Sequence, residues 1–246
     1  MTHKPLIIAH RGASIEAPEN TMPAFQKAKE IGVDGVELDI LLSKDGHFVV
    51  THDESLFKLT RVKGKVENLT LNQLKLLDYG SHFSKEYKGE KIPTLEEVFD
   101  LLKKDLLINI EIKGRKIKDD GREQKLAQLI RKRNLIEQVV VSSFNILALR
   151  RMYQVAPEIR RGYLFFEKQF APSRRAAWAP LFHPYSLNIS KALVQENTIE
   201  WIHQRGYRCW VWTVNDEKEM LRFAQMGADA IITDDPRKLV NLFKNK

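Results

Sequence analysis

The chain has 246 residues, room for one α/β barrel of ~250 residues or for two smaller domains. Hydrophobic residues make up 43% and charged residues 29%, which excludes a disordered, collagen-like or disulfide-framework protein. Lysine and arginine number 40 against 32 acids, and the net charge of +8 favours anionic partners such as nucleic acid, a membrane surface or a phosphate-bearing small molecule.

No apolar run approaches the ~18 residues of a membrane span, so no stable membrane insertion is expected. The opening MTHKPLIIAHRG lacks the apolar core and cleavage site of a secretory signal. Cys209 is the single cysteine and is compatible with a reducing compartment, so the expected location is cytoplasmic.

Short apolar runs alternate with amphipathic stretches along the chain. Leu6 to Ala9 reads as a strand. From Asn20 to Ile31 the apolar residues Met22, Phe25, Ala28 and Ile31 recur at helical spacing, and Gly32 closes the pattern. Val36 to Leu41 is a strand, and His47 to Val50 a second short one after the turn Lys44-Asp45-Gly46. Asp53 to about Glu97 holds no clear strand–helix unit and reads as an insertion. Beyond it come a strand at Leu106–Ile112, a helix at Arg122–Arg133, a strand at Val139–Ser142 and a helix at Ile146–Val155. Strands at Arg161–Phe165 and Ser186–Ile189 precede a helix at Glu196–Arg205. Arg208–Val214, Asp216–Met226, Ala230–Thr233 and Pro236–Phe243 complete the alternation as strand, helix, strand, helix. About eight strand–helix units imply a parallel α/β sheet, closed or open.

Four clusters could carry chemistry. His10 and Arg11 open HRGASIEAPENT at the end of the first strand. A histidine there exchanges protons near neutral pH, and an arginine fork suits phosphate. In Val36-Glu37-Leu38-Asp39-Ile40, side-chain alternation puts Glu37 and Asp39 on one face. Two buried carboxylates need either salt-bridge partners or a hard cation with oxygen ligands. His52 follows the next short strand, beside Asp53. In Asn109-Ile110-Glu111-Ile112-Lys113, Glu111 and Lys113 share a face, and Asn109 falls on it deeper in the strand. Together these residues form a positively charged clamp around acids that could hold a metal, with histidines to move protons.

The ordered motifs HRGAS…APENT, GVELDI, SKDGHFVVTHDESL, IPTLEEVF, INIEIK, WTVN and GADAIITDDP resemble the glycerophosphodiester phosphodiesterase family over nearly the whole chain. The resemblance implies a TIM (β/α)8 barrel spanning 1–246 as a single domain, with a small insertion subdomain at about 53–97 after the second barrel strand. It implies hydrolysis of glycerophosphodiesters to an alcohol and sn-glycerol 3-phosphate with one divalent cation, Mg2+ or Ca2+. By motif, Glu37, Asp39 and Glu111 would be metal ligands, and His10 and His52 the general acid–base pair. Arg11 and Lys113 would bind phosphate, Glu19 and Asn20 would lie near metal and substrate, and Trp212 would line the glycerol pocket. The insertion departs from the family's Arg-Thr-Thr run before a glycine; here the stretch is Lys58-Leu59-Thr60-Arg61-Val62-Lys63-Gly64. Phe83 and Tyr87 could line an entrance there or pack a small core. A lysophospholipid- or sphingolipid-cleaving relative and a noncatalytic or nucleic-acid-binding barrel are the competing readings. The paired arginines 150–151, 160–161 and 174–175 are scattered, which argues against nucleic acid.

Overall fold

In the computed structural model, residues 4–102, 106–114, 119–169 and 176–244 are described. The third of the arginine pairs noted in the sequence, at 174–175, lies outside them.

Eight parallel strands close into a barrel. They are β1 (Leu6–His10), β2 (Gly35–Leu42), β4 (Leu107–Ile112), β5 (Val139–Ser143), β6 (Arg160–Phe165), β7 (Ser186–Ser190), β8 (Arg208–Trp212) and β9 (Ala230–Thr233). Each pairs with its neighbour in sequence order, and β1 pairs with both β9 and β2, which closes the ring. The fold is therefore a TIM barrel, and the open-sheet alternative falls away. The strand expected at His47–Val50 is β3 (Phe48–Val50), but it runs antiparallel to β2 and hangs outside the ring. The closed ring thus needs another element to connect β2 to β4.

That element is the helix Leu95–Leu102, which the sequence reading did not register. Its signal was present: Thr94 accepts from the Glu97 backbone N–H at 3.2 Å, and Thr94 donates its own N–H to the Glu97 carboxylate at 2.7 Å. This Thr-x-x-Glu box satisfies helix-end donors reciprocally. Leu95, Val98, Phe99 and Leu102 form its buried face. With it, the helices in chain order are α1 (Met22–Ile31), α2 (Phe57–Thr60), α3 (Leu71–Leu76), α4 (Leu95–Leu102), α5 (Arg122–Lys132) and α6 (Ile146–Val155). The last three are α7 (Thr198–His203), α8 (Glu217–Gln225) and α9 (Pro236–Lys244).

Alternation along the strands sorts the core into two layers. Val36, Leu38 and Ile40 of β2 and Ile108, Ile110 and Ile112 of β4 face the surrounding helices in the main cluster. The opposite parity faces the barrel axis, where Ile8, Val140, Trp210, Ala230 and Ile232 form a second cluster. The remaining axial positions, Glu37, Asp39, Asn109, Glu111, Ser142, Ser186 and Asn188, are buried and polar. The barrel interior thus mixes apolar positions with hydrogen-bonding groups.

The segment between β3 and α4 packs its own small core. Leu56, Leu59, Val66, Leu74, Tyr79 and Ile92 cluster with Leu41 and Val49. Phe83 and Tyr87 stand apart from it. Their rings meet edge-to-face at 5.7 Å, and Tyr87 Oη donates to the Glu16 carbonyl at 3.0 Å, tying the segment to the loop after β1. At the opposite end of the barrel, buried Arg161 donates to the carbonyls of Phe182, His183, Pro157 and Ile159. Phe182 and His183 serve that closure.

Candidate active site

The site residues come from the carboxyl ends of β1, β2 and β4 and from the loops that follow, the face where barrel chemistry sits. His10 ends β1. Arg11 follows with φ 58° and Gly12 with φ 80°, both in the left-handed region. A Cβ on Gly12 would stand 2.6 Å from the Ala24 backbone carbon, so only glycine lets the loop turn against α1 there. The turn directs the Arg11 N–H to the Glu37 carbonyl at 2.9 Å and its side chain into the site.

Glu37 and Asp39 lie on the inward face of β2, and Glu111 lies on that of β4, where Glu111 pairs in register with Asp39. Donor oxygens of the three carboxylates all fall within 4.8 Å of one another. Lys113, just past β4, places Nζ 2.8 Å from Glu111 and 3.4 Å from Asp39. Arg11 Nε lies 3.3 Å from Asp39, and Arg11 Nη1 donates to Glu19 at 3.0 Å. Asn20, buried with φ 58°, donates its amide to Asp39 at 2.9 Å. Glu19 and Asn20 therefore hold Arg11 and Asp39.

Charge in this cluster is unevenly shared. Burial pushes Asp39 up, but Lys113 and Arg11 outweigh it and hold the carboxyl down at about 2. Burial raises Glu37 well above the ordinary carboxylate range, and repulsion from Asp39 and Glu111 adds to the rise. Burial and Asp39 likewise push Glu111 up to about 7, against the pull of Lys113. Three acids thus exceed what the two neighbouring cations neutralise. Among the described residues Asp39 Oδ1 accepts no hydrogen bond. Clustered, buried, all-oxygen donors, two of them holding their protons for want of positive charge, fit a hard divalent cation.

Each candidate histidine has a carboxylate behind it. His52 Nδ1 lies 2.8 Å from Asp53, as adjacency in the sequence allowed. His10 Nδ1 lies 2.6 Å from Asp234, a residue to which the sequence reading assigned no role. Asp234 is held in turn: Asn215 donates its amide to one oxygen at 2.6 Å and accepts the Asp234 N–H at 2.9 Å. The motifs WTVN and TDDP supply Asn215 and Asp234, but only barrel closure between β9 and β1 brings them to His10. Ionised carboxylates accept only, so both Nδ1 atoms donate, and in a neutral ring so held the lone pair lies on Nε2. Burial lowers His52 below the ordinary histidine range, opposed by Asp39, and favours this neutral form.

His10, Arg11, Glu37, His52, Glu111 and Lys113 converge on one cleft of about 160 Å3, whose remaining wall includes Leu164, Trp212 and Ile232. Trp212 donates its indole N–H to the Asn188 carbonyl at 2.9 Å and so offers the cleft its ring. Phe144, unremarked in the sequence, meets the Trp212 ring edge-on at 5.6 Å. From Glu111, Lys113 and Phe144 a wider groove of about 840 Å3 continues past Leu147 and Phe166. The described part of the insertion reaches the site through Lys58, whose Nζ is 3.5 Å from Asp53 and 3.9 Å from Glu19.

A TIM barrel with acids, a cationic fork and backed histidines at its carboxyl-end mouth defines an enzyme of the phosphate-ester-handling class. The sequence profile of the glycerophosphoryl diester phosphodiesterase family matches residues 10–238. A glycerophosphodiester phosphodiesterase of Caldanaerobacter subterraneus subsp. tengcongensis is 43% identical over 246 residues, covering 98% of each chain. A phosphodiesterase of Oleispira antarctica, solved with the product sn-glycerol-3-phosphate, is 32% identical with a TM-score of 0.85, over 98% of this chain and 97% of that one. The Thermotoga maritima glycerophosphodiester phosphodiesterase is 33% identical with a TM-score of 0.79, over 98% of this chain and 99% of that one. The chain belongs to the glycerophosphoryl diester phosphodiesterase family and is an enzyme of that family.

Proposed function

We propose that the enzyme hydrolyses water-soluble glycerophosphodiesters to an alcohol and sn-glycerol 3-phosphate. The observation that carries this reading is the convergence, on one small cleft, of two carboxylate-backed histidines, two cations and a triple-carboxylate cluster. Glu37, Asp39 and Glu111 hold the divalent cation, Mg2+ or Ca2+. Bound there, the ion supplies Lewis-acid polarisation of the phosphate oxygens. Arg11 and Lys113 take nonbridging oxygens and stabilise the charge that builds on them. One of His10 and His52 removes the proton of the nucleophile and the other protonates the departing alcohol oxygen; the nucleophile is water, or the neighbouring glycerol hydroxyl, in which case water then opens the cyclic phosphate to sn-glycerol 3-phosphate. Asp234 and Asp53 keep each Nδ1 protonated and each Nε2 ready for transfer. Trp212 packs against the glycerol carbons, and Glu19 and Asn20 hold Arg11 and Asp39 in place. The small cleft suits the glycerol phosphate half, and the groove past Phe144 receives the alcohol.

We read residues 1–246 as one functional unit, with the segment at about 53–97 covering the His52 side of the mouth. The lone, buried Cys209 supports a cytoplasmic setting; among the described residues no helix is long and apolar enough to cross a membrane.

The test is release of sn-glycerol 3-phosphate from glycerophosphocholine and glycerophosphoethanolamine, after chelation and after return of Mg2+ or Ca2+. Release that stops with chelator and returns with one cation supports the proposal and names the ion. Folded protein that releases nothing with either ion overturns it, and exclusive turnover of micellar lysolipids replaces the substrate class.

A further inference from the structure

Asn109 lies on β4, inward-facing, two residues below Glu111 and in register with Glu37. It lines the floor of the cleft and is fully buried. Among the described residues, neither end of its carboxamide, Nδ2 or Oδ1, has a hydrogen-bond partner. A buried amide left in that state costs free energy, so the position implies a ligand group that satisfies it. Both ends are unpaired, so the conclusion does not depend on which way the amide is turned.

The chemistry of that group follows from its surroundings. The cations of the cleft, Arg11 and Lys113, stand at the acidic mouth beside Asp39 and Glu111. Leu164 and Ile232 share the cleft wall, and the Trp212 indole N–H is already spent on Asn188. An anionic group at the floor would meet the Glu37 carboxylate rather than a cation, a cationic one would compete with the ion the carboxylates are read to hold, and a purely apolar one would leave the amide unpaired. A hydroxyl both donates and accepts, matching the Oδ1 acceptor and the Nδ2 donor. The polar tract continues across the barrel interior: among the described residues Ser142 Oγ and Asn188 Nδ2 are also unpartnered. A Cβ at Gly162 would stand 2.8 Å from Asn188 Nδ2 and 3.2 Å from both Ser142 Cβ and Ser186 Oγ, so the glycine keeps that space open.

We propose that Asn109 is the specificity-determining residue of the cleft, and that its carboxamide hydrogen-bonds a free hydroxyl of the glycerol unit attached to the phosphate. This rests on the reading of the enzyme as a glycerophosphodiester hydrolase. It explains how the site selects glycerol over a chain of equal length without hydroxyls, which the phosphate clamp cannot do.

The experiment compares wild type with Asn109→Leu, a substitution of similar volume, on two substrates. One is glycerophosphoethanolamine; the other carries n-propanol in place of glycerol. Binding of sn-glycerol 3-phosphate and n-propyl phosphate is measured in parallel by calorimetry, together with cation affinity. The variant is expected to lose at least about tenfold in kcat/KM and in affinity for the glycerol ligands only, because the buried hydroxyl–amide pair is what it removes. Cation affinity is expected to be unchanged. Equal losses on both ligands, an unchanged preference for glycerol, or a loss of cation affinity overturns the proposal. Should Asn109→Leu not fold, Asn109→Ala, which also removes the amide, is expected to show the same selective loss on the glycerol ligands. Wild type that hydrolyses both substrates without preference overturns the Asn109 role alone; wild type that hydrolyses neither overturns the hydrolase reading and this inference with it.

Discussion

His10 and His52 each depend on a carboxylate at Nδ1, but the two are held differently. Asp53 comes from the adjacent position, whereas Asp234 lies 224 positions away and is itself braced by Asn215. Replacing His10 or His52 with alanine is expected to lower kcat by roughly 100-fold or more, since each removes a proton-transfer group. Asp234→Asn leaves the histidine in place but frees its tautomer, and its kcat is expected to fall at least about tenfold with sn-glycerol 3-phosphate binding retained. Steady-state kinetics and product titration check all three. The acids make a second case. Glu37 and Glu111 sit above the ordinary carboxylate range, so loading a cation must expel protons from them. Cation affinity is therefore expected to fall as pH drops below about 7, the value for Glu111, with proton release rising; calorimetry in buffers of different ionisation enthalpy measures both. Charged Glu37 opposes folding in cation-free protein, because its folded value lies above its unfolded one. Glu37→Gln is then expected to raise the cation-free Tm at pH 8 by about 2–4 °C, a relief of ~1 kcal/mol in a chain of this size, and to abolish the further rise on adding cation.

Helix α4 links the barrel to the insertion, and one local motif starts it. Thr94 and Glu97 satisfy each other's orphan groups, and Glu97 also meets Lys75 of α3 at 2.6 Å. Thr94→Ala is expected to cost about 1 kcal/mol, read as a lower urea midpoint with an unchanged slope. The box also titrates. Burial pushes Glu97 up, but Lys75 and the Thr94 N–H hold it below its ordinary value. Its contribution is thus complete above the unfolded value of ~4.3 and lost as pH falls through the lower folded one. The stability gap between wild type and Thr94→Ala is expected to narrow below about pH 4. Strand β3 shows the other side of reading elements locally. Phe48, Val49 and Val50 have the composition of any barrel strand, yet the short turn after β2 forces an antiparallel return that a parallel ring cannot use.

Across the whole molecule the single thiol is buried, and several arginines are tied to neighbouring acids and carbonyls. Arg151 pairs with Glu123, Arg160 with Glu137, and buried Arg161 donates to the Phe182 carbonyl. Cys209 lies on β8, buried, and burial pushes its thiol up to about 12. It is expected to stay unreactive toward Ellman's reagent at pH 8 and to react in full once denaturant unfolds the barrel. A thiol that reacts in native buffer would show local opening of β8.

Much of the site was legible because strand alternation is a local rule. Parity alone places Glu37 with Asp39, and Glu111 with Asn109, on single faces, and glycine after a histidine–arginine pair marks a tight turn. Alternating strands and helices likewise announce a parallel sheet. What the chain order cannot carry is distance across the ring. Closure of β1 on both β9 and β2 brings Asp234 to His10 and joins acids from β2 and β4 within 4.8 Å. The same closure leaves Asn109 at the cleft floor without a hydrogen-bond partner among the described residues. Burial and long-range charge, which set the protonation of these groups, exist only once the barrel has shut water out.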